Sequence, residues 1–172
     1  SKGLYGETAC VTFRDRFTDF LDCMPVHDKS AEHVVNFLVK LTRPSEKLSY
    51  CYTDGASELV RACSELRIAH DSTIPGNKKQ NSVAERANAV VQEGLRALLS
   101  AAGFPPQYWS YAAQYFCLCY NMRKDEKGSS PWQRRFGDAD FEHPLLPWGS
   151  LVRYVPPKLS LIHISEPTRL NP

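Results

Sequence analysis

Between Asn81 and Gly103 the apolar residues fall on one side of a helix and the polar residues on the other. Val83, Ala87, Val90, Val91, Leu95, Leu98 and Leu99 follow the i, i+4, i+7 rule, and Asn81, Glu85, Asn88, Gln92 and Arg96 form the opposite stripe. A one-sided helix of this length needs another layer of structure against its apolar face. The segments before it supply candidates. ETACVTFRD (7–15) and DFLDCMPV (19–26) have strand character, and the short connection between them predicts a hairpin. Ser30 opens a helical pattern carrying Val34, Val35, Leu38, Val39 and Leu41, which Pro44 stops. KLSYCYTDG (47–55) reads as a buried strand, SELVRACSELR (57–67) as a short helix and IAHDSTI (68–74) as a strand or extended exit.

After the long helix, Pro105-Pro106 open a second helix running to about Met122 with Trp109, Ala113, Phe116, Cys117 and Tyr120. RKDEKGSSP (123–131) has the composition of a polar linker, and WGSLVRYVP (148–156) that of a late strand. The order of elements predicts a layered α/β or α+β domain. The 172 residues, 42% hydrophobic and 23% charged, suffice for one core, and no apolar run reaches the roughly 18 residues of a membrane span. A net charge of +2 neither requires nor excludes a polyanionic partner, so any nucleic-acid claim rests on where charge is placed. The six cysteines form no CxxC pair and no zinc spacing with the histidines. They read as reduced, mostly buried thiols of an intracellular protein.

Two carboxylates stand at element ends. Asp54 closes a predicted strand, where open α/β sheets place functional groups, and Glu85 lies near the predicted start of the long helix, after Lys78 and Lys79. Each has an ordinary explanation: Asp54 as a cap for the helix at 57, and Glu85 as an acid complementing the helix dipole. Together, flanking a basic loop, they suggest a divalent-metal site beside a phosphate backbone, because Mg²⁺ prefers carboxylate oxygens and keeps waters or substrate phosphates as its other ligands. Lys78, Lys79 and Arg86 can neutralise phosphates, and Asn81, Asn88 and Gln92 can bond sugar, phosphate or base edges; the alternative is a solvated helix face. Tyr108, Trp109, Tyr111 and Tyr115 could stack bases, but at helical spacing with Phe116 and Tyr120 they read as packing.

These stretches resemble integrases of retroviruses and retrotransposons. TDGASEL is similar to their S/T-D-N-G-x-E-F strand end, and QNSVAERAN resembles Q-N-G-V-A-E-R-x-N of the copia-type class. FRDRFTDFLDCMPVHDKS, YWSYAAQYFCLCYN and SPWQRRFG resemble further segments of that class, in the same order, from about 1 to 157. The resemblance implies an RNase H-like mixed sheet flanked by helices. It also implies three acids binding two Mg²⁺ or Mn²⁺ ions, with Asp54 second and Glu85 third. The implied activity is DNA 3′-end processing and strand transfer, by multimers acting on element ends and target DNA, in the nucleus or a virus-like particle. The interval from Asp54 to Glu85 holds 30 residues, shorter than is usual in such enzymes, and Gly55 and Ser82 stand where Asn and Gly are usual. Ser82 would stiffen a turn that needs freedom.

The first acid of the pattern, in a D-x-x-G-P context, is expected on a strand before Ser1. Asp15 is the alternative for that first acid, although the resemblance favours a hairpin-turn role for it; Asp19 and Asp22 read as exposed strand or turn positions. LSLIHISEPTR (159–169) resembles the translation of a sequencing-library adapter. The expected organisation is therefore a partial core at 1–122 lacking its central first strand, a linker and post-core segment at 123–158, and a non-native tail at 159–172. Such a chain should leave a gap in the middle of its sheet, or fill it with another segment such as LSLIHIS, and should be inactive by itself. A DNA-binding relic and a generic RNase H-like nuclease are the competing readings.

Overall fold

The computed structural model describes residues 2–42, 46–72, 78–137 and 145–153, with residues 78–81 as helix backbone. The predicted hairpin is present. Strands β1 (Ala9–Arg14) and β2 (Leu21–Val26) pair antiparallel, from Ala9 opposite Val26 to Arg14 opposite Leu21. Its connection is held by side chains. Asp15 accepts hydrogen bonds from the Phe17 amide (3.0 Å) and the Thr18 hydroxyl (2.6 Å). Asp19, at φ 65°, accepts from the Arg14 guanidinium (Nε, 2.8 Å) and the Tyr120 hydroxyl (3.0 Å). Asp19 and Asp22 are therefore half-buried rather than exposed, and burial raises the Asp22 carboxyl above the usual carboxylate range.

Helix α1 (Ala31–Leu41) starts at Ser30, whose hydroxyl accepts from the His33 amide, and buries Val34, Phe37, Leu38 and Leu41. Phe37 takes the core position that the sequence pattern assigned to Val39, which stays 53% exposed. The expected stop at Pro44 lies outside the described residues. Strands β3 (Tyr50–Thr53) and β4 (Ala69–Ser72) pair in parallel, joined through helix α2 (Ser57–Glu65). Val34, Phe37, Leu38, Leu41, Ala62, Cys63 and Ile68 make one core cluster, in which burial pushes the Cys63 thiol up to about 11.

Among the described residues the two strand pairs do not join into one sheet. Between them lies a cavity of about 1180 Å³, with β1 on one side and β3 on the other, α1 residues including Phe37 and Leu38, and Val83, Ala84, Ala87 and Asn88 from the long helix. The expectation that LSLIHIS fills a gap in the sheet falls outside the described residues. The gap also corrects the reading of β3 as buried. Paired on one side only, β3 leaves Tyr50 and Tyr52 exposed.

Helix α3 (Lys78–Ala102) begins a turn earlier than expected and packs on α4 (Trp109–Met122), which a short 3₁₀ turn (Pro106–Tyr108) introduces. Leu21, Cys23, Ala87, Val91, Ala113 and Cys117 form the second core cluster. Gly94 permits the close approach of the two helices, since a Cβ there would overlap the Phe116 ring. The aromatic residues proposed as base-stacking candidates pack on the protein: Tyr108 on Phe104, Tyr115 on Trp148, and Tyr111 edge-on to Tyr5. Buried Asn121 closes the outer edge of β2, accepting from the Leu21 amide (2.9 Å) and donating to the Leu21 carbonyl (2.7 Å).

The polar stretch after α4 is a bonded turn rather than a free linker. Asp125 accepts from the Lys127 and Ser129 amides and from Arg134, and Ser130 with Gln133 forms a capping box opening helix α5 (Pro131–Phe136). Arg134 donates to the Thr18 carbonyl at 2.9 Å. Arg135 lies 4.4 Å over the Phe20 ring and donates to the Leu41 carbonyl at 2.6 Å, which ties the hairpin to α1. Among the described residues the predicted late strand is not formed: residues 148–153 are turn and coil. No described helix is long and apolar enough to cross a membrane.

Replacing Asn121 by Ala orphans a buried amide and a buried carbonyl, at about 1–3 kcal/mol per group. The expected result is a loss of about 2–4 kcal/mol in urea-unfolding stability, with the larger part retained by Asn121→Gln only if the longer side chain still reaches Leu21.

Candidate metal centre and nucleic-acid interface

Parallel pairing with β4 places the end of β3 beside Ser72 and His70. Thr53 Oγ1 lies 2.8 Å from His70 Nε2 and accepts from the Gly55 amide at 3.2 Å. Asp54 follows, exposed, with one carboxylate oxygen accepting from the Ala56 amide at 3.2 Å. The N-cap of α2 is Ala56, without a side-chain cap bond, so Asp54 is the head of an Asx turn and not the cap. Gly55 has φ 80°, a left-handed conformation that Gly and Asn adopt most readily. That accounts for Gly at a position where the integrase pattern has Asn. On the same strand the Tyr50 hydroxyl is raised above its ordinary value, first because it donates to Asp71 (2.9 Å), with the Arg16 guanidinium opposing.

Because α3 starts at Lys78, Glu85 stands about two turns into it, roughly 10 Å from the N-terminus. The helix dipole acts mainly within the first turn, so it gives little reason for an acid at this position. Glu85 is exposed. Ser82 is inside the helix, so the concern about a turn needing freedom does not apply. Asp54 lines the large cavity, and so do Val83, Ala84, Ala87 and Asn88, the residues on either side of Glu85 in the chain. Glu85 itself is about 60° around the helix from Asn88, outside that lining. Asp54 and residues of the second and third turns of α3 thus line one cavity.

Arg86 and Asn88 are exposed on α3, while the side chains of Lys78, Lys79 and Asn81 lie outside the described residues. Asn88, Gln92 and Arg96 continue along the helix into a second cavity of about 440 Å³, shared with Thr8, Thr12 and Trp109. Asp15 borders the large cavity, but both its carboxylate oxygens serve the hairpin turn. Among the described residues no group of three or more His, Cys, Asp or Glu side chains is placed to hold a metal ion. Two carboxylates suit a hard cation that keeps waters and phosphate oxygens as its other ligands; they do not make a cage of protein ligands alone. Sequence reasoning missed His70, whose place beside Thr53 follows from parallel strand pairing and has no local signal.

Comparison with known proteins bears on this arrangement. No family model matches the chain. Over 64 residues, 37% of the chain, it is 38% identical to the retrovirus-related Pol polyprotein from transposon TNT 1-94 of Nicotiana tabacum, and it spans only 5% of that polyprotein. This segment is homologous to a copia-type transposon polyprotein. The fold is similar to a chain of the simian T-cell lymphotropic virus intasome, solved in complex with the PP2A regulatory subunit B56 gamma. The TM-score is 0.61 at 19% identity, over 88% of this chain and 53% of that one. It is also similar to the catalytic core domain of BIV integrase, with a TM-score of 0.54 at 18% identity over 72% of this chain and 82% of that one. At these identities the likeness is one of fold alone.

A β-carbon at Gly55 meets both the left-handed backbone and the Ser72 Cβ at 3.3 Å. Gly55→Ala should lower unfolding free energy by about 1–2 kcal/mol and Gly55→Asn by less, as measured by denaturant titration.

Proposed function

We propose that this chain is part of an integrase catalytic domain and that Asp54 and Glu85 serve polynucleotidyl transfer: divalent-metal-dependent trimming of DNA 3′ ends and their joining to target DNA. The observation that carries the reading is the placement of Asp54, at the end of β3, across one cavity from the α3 turns that hold Glu85. Asp54 has one carboxylate oxygen committed to the Ala56 amide, which orients the other outward. Glu85 projects from a rigid helix, so its position is set by the packing of Ala87 and Val91 in the core. Bound Mg²⁺ or Mn²⁺ would supply charge neutralisation at a phosphodiester and lower the pKa of an attacking hydroxyl or water. Arg86, with Lys78 and Lys79, would hold the DNA backbone by charge, and Asn88 and Asn81 would add hydrogen bonds that set its register. DNA and further copies of the integrase are the partners this reading requires.

By itself the chain should be inactive, because Asp15, the alternative first acid, has both carboxylate oxygens committed to its turn. That same commitment favours, as a second reading, a module that binds DNA without cleaving it. The test uses a full-length integrase containing this segment, with donor ends, target DNA and Mg²⁺. Glu85→Gln should reduce joining at least a hundredfold while leaving DNA binding and melting temperature in place, and Arg86→Ala should weaken DNA binding and its salt dependence instead. Joining unchanged by Glu85→Gln would refute the metal role; binding with no joining or cleavage in the parent would establish the second reading; cleavage without joining would identify a generic nuclease.

A further inference from the structure

Asp54 is exposed, and its hydrogen bond with the Ala56 amide (3.2 Å) reaches only two residues along the chain. The backbone on either side of it is held from the neighbouring strand. In the parallel register Cys51 stands opposite His70 and Thr53 opposite Ser72. These four side chains share one face, the one that carries Cys51 against the core of α1 and α2. His70 is thereby diagonal to Thr53, and its Nε2 lies 2.8 Å from the Thr53 hydroxyl oxygen. The same oxygen accepts from the Gly55 amide at 3.2 Å. A line of contacts from His70 through Thr53 to Gly55 therefore brackets Asp54 from both sides.

Without His70 each remaining link is a weak restraint. A Thr hydroxyl bonding only its own turn holds that turn less firmly than an Asn or Asp side chain does. Gly55, at φ 80°, is free to leave the left-handed region, because glycine populates both signs of φ with similar ease. His70 supplies an anchor from outside the turn: it follows Ile68, which is buried in the core, and it lies on β4, which packs on α2. Its bond selects the Thr53 rotamer that sets the hydroxyl between the imidazole and the Gly55 amide. Either neutral tautomer closes the link, since Nε2 accepts from the hydroxyl when bare and donates to it when it carries the proton. With the turn fixed, the Asp54 oxygen that does not bond Ala56 keeps one direction. Contacts of this kind, which orient a metal-binding side chain without touching the metal, are typically worth about 10–100-fold in metal affinity.

We propose that His70 is a positioning residue for Asp54, holding its carboxylate in one direction through Thr53 and the left-handed turn at Gly55. The proposal rests on the metal role given above to Asp54, and the test reads the two separately. In the metal-free chain, scalar couplings should report a single χ1 rotamer for Asp54. His70→Leu and Thr53→Val should each average those couplings and speed exchange of the Gly55 amide about fivefold. Thr53→Val leaves β4 intact and carries the test if His70→Leu does not fold. His70→Gln, whose amide can donate or accept where Nε2 does, should restore the unaltered values. Titration with Mn²⁺ should then show affinity at 53–56 lowered about 10–100-fold in His70→Leu, in Thr53→Val and in the double variant alike, and regained in His70→Gln. A fixed Asp54 rotamer in both single variants, additive losses in the double variant, or no recovery with Gln would overturn the positioning role. Absence of Mn²⁺ binding near 53–56 in the unaltered chain would refute the metal reading of Asp54, and the metal-free couplings would still decide whether His70 holds the turn.

Discussion

A backbone amide or carbonyl turned toward a protein interior needs a partner, and in this protein two strand edges face a cavity instead. Much of the architecture follows from that. The hairpin and the parallel pair cannot support each other through strand hydrogen bonds. Two core clusters result, one of the hairpin with α3 and α4 and one around α1 and α2, and Val11, Phe13 and Met24 of the hairpin pack against the second as well. The exposure of Tyr50 and Tyr52 has the same origin. So does the setting of Asp54, which stands at the mouth of the cavity and not in the middle of a continuous sheet.

Side-chain bonds at the periphery reinforce that shared packing. Arg135 stacks on Phe20 of the hairpin turn and bonds the Leu41 carbonyl at the end of α1, while Arg134 bonds the Thr18 carbonyl. Asn121 closes the far edge of β2 from α4, which leaves the inner edge of β1 as the open side of the hairpin. The α3 side of the cavity is fixed by Ala87, which both lines it and sits in the core that the hairpin and α4 share.

Strong local periodicity was readable in the chain. The α3 stripe repeats from Val83 to Leu99, and the hairpin carries strand character on both arms, so neither depends on distant partners to be recognised. The end of β3 at Asp54 was marked by Asp-Gly, and the structure supplies the reason in the left-handed Gly55. Features set by long-range pairing were not readable. Asp19 looks like a surface turn acid until Tyr120, far along the chain, reaches its carboxylate. Phe37 and Val39 are both compatible with the α1 period, and only the packing on α2 chooses between them. Helix α5 is short and polar enough to pass for linker, and its role appears only where Arg134 and Arg135 meet carbonyls from other elements.

The proposal on which the functional reading rests is that Asp54 and Glu85 bind one shared cation. Paramagnetic broadening by Mn²⁺, followed residue by residue in amide spectra of the chain, tests this directly. The account predicts that amides near 53–56 and near 83–88 broaden together along one binding curve, and that Asp54→Asn removes the effect at both segments. Broadening confined to one segment, or two independent curves, would contradict it.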